Sequence, residues 1–503
     1  MKRYSLFILM IVLVSLCLSV FVVGNAAEAK KILTYACDIP TSITPGKMEG
    51  PGCLIESEIY DWLVRVKPDT IELQPELAVS WESSPDGKIW TVKLREGVKW
   101  HDGTAFDADD VIFTVERSQD PAVGHMMKVN FEIVEKMEKL DDHTVRFYLK
   151  VPNAKFMQTF VEYNAAIISS TYDYEKYGDL KPMGTGPFMV KEIVPTENTV
   201  LVKNPNYWME GVPKIDEIQF VYIPDPTTRF MMVQSGDVDI CRYISPSEVQ
   251  IVKENPNLKL LFQNQVGQIV VYMRSDRPPF NDNRVRLAVK YCIDEEKMAQ
   301  ALLAKESGVD IFVIESPVSS LYPEYKKMPR EVNIEKAKQL LAEAGYPNGL
   351  ELDLYYPGWS HTDEIAVVLK EMAEPAGIRI NLQNALRDIY YAKNWLNVDF
   401  GLTDWDTRVD PVSVLNIAYR TGSVWNESHL SNPALDELID KITSEADPVK
   451  LKELYADLQT LFYEEGPIII VSVPKYFVMG KRVEGYIPAI TSLDDMRFVE
   501  LKD

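Results

Sequence analysis

The chain has 503 residues, of which 46% are hydrophobic and 25% are charged, and its formal net charge is −22. This composition is typical of a folded protein of two or three domains and excludes a disordered or fibrous chain. The negative charge repels phosphate backbones at long range, which argues against nucleic acid as a partner.

The first 29 residues have the pattern of a secretory signal. Basic residues at positions 2 and 3 precede an apolar run over 6–23, and an Ala-x-Ala motif ends at Ala29. A retained anchor is the alternative, because the run approaches the length that spans a bilayer. Leu16 precedes Cys17, where a lipoprotein signal prefers a small residue. We therefore predict that residues 1–29 are a cleaved signal peptide and that the mature protein is periplasmic or extracytoplasmic, not a lipoprotein.

An alternating pattern from Trp90 to Leu94, after a Pro-Asp-Gly turn at 85–87, predicts a β-hairpin. The segment "VKWHDGTAF" (98–106) then leads to a helix capped by Asp107. His101 and Asp102 in that segment could suggest a catalytic or metal site. Neither has a partner motif, so we interpret the segment as a structural connector.

Capped helices recur further along the chain. One is predicted to begin after Asn281 or Asp282 and another after Asn333. A strand over 350–357, a helix from about 362 and a strand over 377–384 then predict a right-handed parallel crossover. Ligands usually bind in the loops at the carboxyl ends of such strands, so residues 355–361 and 384–391 are candidate binding loops.

The sequence contains no motif for a nucleotide, a zinc protease or a nucleophile elbow, and its five histidines are dispersed. We therefore predict no cofactor, no metal site and no catalytic residue. Four cysteines follow the signal, too far apart for a zinc ribbon or a Cys-x-x-Cys motif. In an oxidising compartment one disulfide can form. Cys292 lies on the apolar face of a predicted helix and is expected to be buried, and we favour the pair Cys37 with Cys241.

Paired carboxylates such as Asp109 and Asp110 could suggest a secreted carboxylate-dependent hydrolase. The same pair is explained by the preference for acidic residues in the first turn of a helix. Large aromatic residues are more informative, because they concentrate between positions 355 and 425. Most such side chains are core, and those that lie in loops would form stacking walls for a ligand.

Six segments in chain order together resemble the solute-binding proteins of ABC importers in the peptide and nickel group, which includes dipeptide- and oligopeptide-binding proteins (family 5). They are "LAVSWESSPDGKIWTVKLREGVKWHDGTAFDADDVIFTVER", "MGTGPFMVKEI" with "LVKNPNYW", "RFMMVQSGDVDI", "PPFNDNRVRLAVKYCID", "AKQLLAEAGYPNGLEL" and "NPALDELI". The resemblance implies an α/β, two-lobed periplasmic-binding-protein fold (type II, cluster C) with an extra domain and mixed sheets flanked by helices. It also implies a receptor that is not an enzyme and that delivers a solute to a membrane permease driven by ATPase subunits.

The resemblance implies a three-domain layout after the signal peptide (1–29). Domain I would comprise 30–57, 184–268 and 478–503, domain II would comprise 58–183, and domain III, the ligand-binding lobe, would comprise 269–477. The chain would cross the hinge near 268 and 478. Ligand would favour the closed state over the open one. We expect a monomer.

In peptide binders of this family, an acidic residue just before an Asp-Pro dipeptide pairs with the peptide amino terminus, and Asp406 is the nearest candidate here. Dipeptide binders also hold the peptide carboxylate with an arginine in the loop before the crossover helix. In this chain that loop, "YYPGWSHTDE", has no Arg or Lys, which disfavours a dipeptide. An oligopeptide is the first expectation and an oligosaccharide stacked on tryptophan the alternative. The predicted ligand-binding residues are Tyr356, Trp359, Asn384, Tyr390, Trp405, Asp406, Thr407 and Trp425.

Overall fold

The structure is a computed structural model that describes residues 30–47, 52–67, 70–302, 311–358, 361–406, 408–491 and 493–502. The side chains at positions 246, 264–266, 388 and 406 are not described. The predicted signal peptide and the predicted site residues Trp359 and Thr407 therefore lie outside the described residues, as does the side chain of Asp406.

The β-strands of the described chain form several sheets. They are β1 (Ile32–Cys37), β2 (Val64–Val66), β3 (Leu73–Pro75), β4 (Ala78–Ser83), β5 (Ile89–Leu94), β6 (Val134–Asp141), β7 (Thr144–Leu149), β8 (Phe188–Val194), β9 (Asn198–Lys203), β10 (Glu217–Tyr222), β11 (Ile240–Arg242), β12 (Leu258–Met273), β13 (Phe312–Ile314), β14 (Leu350–Pro357), β15 (Ile378–Ala385), β16 (Phe400–Asp406), β17 (Ile468–Gly480), β18 (Val483–Glu484) and β19 (Glu500–Leu501).

The α-helices flank these strands. They are α1 (Gly52–Ile59), α2 (Ala108–Gln119), α3 (Lys128–Phe131), α4 (Tyr174–Tyr177), α5 (Pro226–Ser235), α6 (Pro246–Glu254), α7 (Asn283–Tyr291), α8 (Glu295–Ala301), α9 (Ile334–Glu343), α10 (Thr362–Ala373), α11 (Arg387–Ile389), α12 (Pro411–Val414), α13 (Pro433–Ser444) and α14 (Pro448–Glu465). Short 3₁₀ turns cover Phe156–Val161, Tyr163–Ala165 and Glu374–Ala376, and π-helical turns cover Tyr390–Asn394 and Leu415–Tyr419.

Two long antiparallel strands, β12 and β17, join the halves of the molecule. They lie in the middle of an 11-stranded sheet of order β15-β14-β16-β12-β17-β11-β1-β10-β9-β8, in which β13 also pairs with β17. A separate four-stranded sheet has the order β4-β5-β7-β6. The apolar run at the start of β17 is buried on both faces, which explains why Ile468 to Val471 do not alternate with polar residues.

Separate hydrophobic cores lie on the two sides of this junction. We call residues 30–268 and 478–502 lobe 1, and its main core contains Trp62 and Phe147. We call residues 269–477 lobe 2, where Ile269 belongs to a core on one face of the sheet and Val270 to a core on the other. The side chains of successive strand residues point to opposite faces, so one sheet supports both cores.

The predicted local elements are confirmed. β4 and β5 form the hairpin, and Asp107 caps α2 by accepting from the N–H of Asp109. Asp282, rather than Asn281, caps α7, and Asn333 caps α9. β14 precedes α10 in the chain and β15 follows it, and the two strands pair in parallel, as the crossover pattern predicts.

The side chain of His101 attaches the connector "VKWHDGTAF" to the loop at 184–186 of lobe 1. The ring accepts a hydrogen bond from the N–H of Gly184 at Nδ1 and donates from Nε2 to the carbonyl of Gly186. Burial lowers the pKa of His101 to about 4, so the ring is neutral. Both ring nitrogens therefore serve to hold the loop at 184–186, which agrees with the structural interpretation.

The predicted disulfide between Cys37 and Cys241 is wrong, because both are free thiols. β1 pairs with β11 in a register that sets Ala36 opposite Cys241. Cys37 is one residue further on, and its side chain packs in the main core of lobe 1, while Cys241 packs with Ala36 on the other face. A one-residue offset places two side chains on opposite faces of a sheet, out of bonding reach.

Candidate functional site

A cavity of about 430 Å³ lies where the two lobes meet. Its floor is formed by residues of β12 and β17, including Gly267 and Lys475. The wall from lobe 1 is formed by Asp38 and by residues of the segments 224–229 and 243–248. The wall from lobe 2 is formed by described residues of the segments 358–364, 386–387 and 404–405. The lobe 2 wall is therefore made from the loops at the carboxyl ends of β14 and β15, as the crossover pattern predicts.

Tyr243 occupies a strained position on the lobe 1 wall. It follows directly after β11 with φ at +65°, a conformation that a residue with a bulky side chain rarely adopts. The Arg242 guanidinium lies 4.0 Å and the Lys475 ammonium 5.0 Å from the centre of its ring. Arg242 donates to the Tyr243 hydroxyl, and Lys475 lies 3.4 Å from the same oxygen.

Lys475, on the cavity floor, is buried among charged neighbours. Burial, followed by the nearby positive charge of Arg242, lowers the pKa of Lys475 to about 7. The negative charge of Asp404 raises the pKa of Lys475. The Asp404 carboxylate accepts a hydrogen bond from the Tyr391 hydroxyl at 2.6 Å. Arg387 also lines the cavity and also lowers the pKa of Lys475. Lys475 and Arg387 thus bring positive charge to the cavity.

The loop before α10 presents His361 and Glu364 to the cavity. His361 is 5% exposed, donates from Nε2 to the carbonyl of Pro474 at 3.1 Å, and has no partner at Nδ1 among the residues that the structure describes. Burial lowers the pKa of His361 to about 4 and raises the pKa of Glu364. Beside them, Asn384 donates to Asp363 at 2.9 Å. This wall offers an unused acceptor nitrogen and a protonatable carboxyl group.

Ion pairs bridge the lobes beside the cavity. Arg408 of lobe 2 donates to Glu162 of lobe 1 at 2.5 Å and to the Tyr163 hydroxyl at 3.2 Å. Lys155 of lobe 1 lies 3.3 Å from Glu324 and 3.6 Å from Asp410 of lobe 2. These contacts hold the lobes together in the conformation described.

Val409 adds an apolar contact to that bridge. It lies between Arg408 and Asp410, is 2% exposed and packs in the main core of lobe 1, although its chain segment belongs to lobe 2. The lobes are therefore closed on each other at this edge of the cavity.

The predicted site residues occupy different environments. Trp405 lines the cavity, and Asn384 lies against the cavity residues Gly358 and Asp363. Tyr356 and Tyr390 are buried in lobe 2, at 5% and 0% exposure, and the Tyr390 hydroxyl bonds that of Tyr272. Trp425 packs against Trp395 and Trp405. Contact of these residues with a solute stays a prediction.

The side chains of Trp395 and Trp405 surround a buried acid, Glu427. Both indole N–H groups donate to its Oε1, at 2.5 and 3.2 Å. Burial raises the pKa of Glu427 to about 8, although these hydrogen bonds act to lower it. The concentration of aromatic residues that suggested a stacking wall is thus in large part the packing of lobe 2.

Sequence reasoning missed Tyr243 and Lys475, which line the cavity, and Arg242, which contacts Tyr243. Arg242 interrupts the apolar segment "ICRYI" and Lys475 interrupts "IIIVSVPKYFVM". A single cation inside an apolar strand is the signal that could have found the two cations, because burying a charge is costly and residues with perturbed pKa values concentrate at functional sites.

Two searches of the described residues had negative results. No set of three or more His, Cys, Asp or Glu side chains in this part of the chain could hold a metal ion. No helix within the described ranges combines the length and apolar character needed to cross a membrane.

Comparisons with known proteins agree with this architecture. Residues 72–426 match the family described as bacterial extracellular solute-binding proteins, family 5. The chain is 27% identical to heme-binding protein A of Haemophilus influenzae, over 86% of this chain and 84% of that protein. It is 28% identical to the glutathione-binding protein of Shigella flexneri, over 80% of this chain and 81% of that protein.

Solved structures with the same fold include a periplasmic binding protein of Helicobacter pylori, associated with an ABC transporter, in complex with the peptide STSA. It superposes with a TM-score of 0.82 at 25% identity, over 94% of this chain and 98% of that one.

Proposed function

This chain belongs to the bacterial extracellular solute-binding proteins of family 5, and we propose that it captures an oligopeptide between its two lobes and delivers it to an ABC importer. The family is one of receptors rather than enzymes, and it acts outside the cytoplasm. The observation that carries the proposal is the cavity of about 430 Å³ enclosed by both lobes at the strands that join them. A ligand that contacts both lobes stabilises the closed state, as a transport receptor requires.

The three-domain layout is part of the proposal. Domain I comprises 30–57, 184–268 and 478–503, domain II 58–183 and domain III 269–477. The long strands β12 and β17, which pass between the lobes, support hinge crossings near 268 and 478. We also propose a monomeric mature protein that begins near Lys30 after signal cleavage. Intact mass measurement of the exported protein tests both the cleavage and the oligomeric state.

The peptide amino terminus is proposed to pair with Asp406. The backbone of Asp406 is opposite Gly267 on the cavity floor, which supports this position. Loss of a buried charge partner weakens binding by about 2 to 5 kcal/mol, so Asp406→Asn is expected to bind tetraalanine at least 30-fold more weakly. Titration calorimetry of both proteins measures this, and unchanged affinity would show that the amino terminus binds elsewhere.

A direct test of the function uses protein that has been unfolded and refolded to release any retained solute. Native mass spectrometry after incubation with tetraalanine is expected to detect the intact peptide, and small-angle X-ray scattering is expected to detect a more compact protein. Reproducible peptide hydrolysis would instead support a secreted carboxylate-dependent hydrolase.

The oligosaccharide alternative keeps one supporting observation, because Trp405 lines the cavity and indole faces stack on sugars. Binding of maltotetraose without binding of tetraalanine would favour that alternative.

A further inference from the structure

We propose that lobe 1 has a second binding site, for an uncharged small molecule with an apolar body and a hydrogen-bond acceptor. The site is a cavity of about 310 Å³, lined mainly by described residues of the segments 65–76 and 485–498, and we call it the seam pocket. None of the described residues lines both the seam pocket and the cavity between the lobes. The inference therefore adds a binding activity to the proposed receptor function and does not depend on it.

The seam pocket lies where two separate parts of lobe 1 meet. The segment 65–76 and Val161 belong to proposed domain II, whereas Met209 and the segment 485–498 belong to proposed domain I. Small-molecule sites usually have volumes of about 300 to 1,000 Å³ and often lie at domain interfaces. The size and the position of the seam pocket are those of a ligand site.

The walls of the seam pocket are largely apolar. They include Val66, Pro75, Met209, Ile487, Leu493 and Phe498. Ile487 is 54% exposed and Phe498 is 45% exposed. Single exposed apolar side chains are common, but these two line the same pocket. A ligand with an apolar body would remove their surface from water, which is favourable.

The charged residues of the seam pocket already pair with one another. Arg497 donates to both carboxylate oxygens of Asp495, at 2.8 and 2.6 Å. Glu76 accepts from Arg65 at 2.7 Å and from Arg497 at 3.1 Å. Two guanidinium groups thus engage two carboxylates, and Arg65, Glu76 and Arg497 are each at least nine-tenths buried. A charged ligand would have to break a pair or bury its own charge unpaired, so the pocket favours an uncharged ligand.

One hydrogen-bond donor of this charged group is still available. Arg65 donates from Nε to Glu76 and from Nη2 to the carbonyl of Ser57 at 3.0 Å. Its Nη1 has no partner among the described residues and is not sealed from solvent. Hydrogen bonds from a charged donor are stronger than those between neutral groups. The ligand is therefore expected to carry an acceptor, such as a carbonyl oxygen.

Four probes with one aromatic ring test these requirements. Acetophenone has a carbonyl acceptor and no charge, toluene lacks the acceptor, and benzoate and benzylammonium carry charges of opposite sign. Burial raises the pKa of Glu76 to about 7, although the charge of Arg65 acts to lower it, so the titrations are made at about pH 8, where Glu76 is ionised. Ligand-observed NMR is expected to give a Kd of about 1 mM or below for acetophenone and values at least about fivefold higher for the other three.

Ile487→Asp tests the location of the site. It places a charge at an exposed position of the apolar wall and is expected to weaken acetophenone binding at least about fivefold. Val424→Asp is the matched control, because Val424 is an exposed apolar residue of lobe 2 that does not line the seam pocket. Phe498→Ala removes part of the wall and is expected to weaken binding about threefold, which tests the site if Ile487→Asp does not fold.

Three results would overturn the inference: no saturable binding of acetophenone up to about 10 mM, equal binding of all four probes, or full affinity of Ile487→Asp for acetophenone. An equal loss of affinity in Val424→Asp would also overturn it, since binding would then not depend on the seam pocket. Ile487→Asp is expected to bind tetraalanine as the parent protein does. This result would separate the seam pocket from the solute site between the lobes.

Discussion

Two clusters of charged and aromatic residues lie close to the cavity, and they differ in how their charge is satisfied. In lobe 2, the carboxyl group of Glu427 receives two indole N–H groups, and burial favours its neutral form. At the lobe junction, the guanidinium of Arg242 is buried against Tyr243 with no carboxylate of the described residues in contact.

The difference separates packing from binding. A buried polar group with its partners in place stabilises one conformation of the lobe. Arg242 forms no salt bridge with a described residue, and it contacts the ring and hydroxyl of Tyr243, which lines the cavity. The dense aromatic segment therefore contributes mostly stability, whereas Lys475 of β17 brings positive charge to the cavity.

The largest expected effect is on the aromatic cluster. Trp405→Ala removes a side chain that is 9% exposed and one of the two indole donors to Glu427. We expect it to lower the free energy of unfolding by about 3 to 5 kcal/mol, measured by urea denaturation. Trp81→Ala, at a half-buried position in β4, is the control and should cost less. A loss below about 1 kcal/mol for Trp405→Ala would contradict the packing role.

The buried ion pair between Arg408 and Glu162, which joins the two lobes, provides the next test. Arg408→Ala leaves Glu162 buried without its partner as long as the lobes are closed. We expect the closed state to be less favourable by about 2 to 5 kcal/mol, detected by X-ray scattering as a larger radius of gyration at a tetraalanine concentration that compacts the parent protein. Arg482→Ala, which breaks a partly exposed pair within lobe 1, should leave the radius unchanged. An unchanged radius for both variants would show that the bridge does not control closure.

The protonation of Glu427 gives a pH signature. Its folded pKa of about 8 lies above the ordinary value of 4.5, so its contribution to stability is complete below about pH 4.5 and is lost as the pH rises to 8. Glu427→Gln should flatten this part of the stability profile and be more stable than the parent at pH 8.5, by roughly 1 to 3 kcal/mol. Thermal unfolding at pH 5 and 8.5 measures it. A parent that is the more stable protein at pH 8.5 would mean that Glu427 is ionised and stabilising.

The smallest effect on stability is expected at Arg242. Arg242→Met replaces an unpaired buried cation with an apolar chain of similar length, so the free energy of unfolding should change by less than about 1 kcal/mol or increase. Urea denaturation of the solute-free protein checks this. A decrease in the free energy of unfolding as large as that of Trp405→Ala would show that Arg242 stabilises the fold, and the two clusters would then not differ in this respect.

Local patterns predicted the fold well. The alternation in β5, the caps at Asp107 and Asn333 and the parallel crossover of β14 and β15 depend on neighbours in the chain, and all are present. The disulfide prediction failed because it depends on strand register. Whether Cys37 and Cys241 share a face of the sheet is decided by a pairing between segments some 200 residues apart, which composition and spacing do not encode.

The candidate site also has features that the sequence predicted and features that only the tertiary structure revealed. The sequence by itself determined the class of protein, because its six family segments and its crossover motif are local patterns. Only the tertiary structure separated the aromatic residues that pack lobe 2 from Trp405, which also lines the cavity. Only the tertiary structure brought Arg242 next to Lys475, since residues 233 positions apart become neighbours only when β11 pairs with β17. Long-range strand pairing decides which charges meet, and that pairing depends on the whole core.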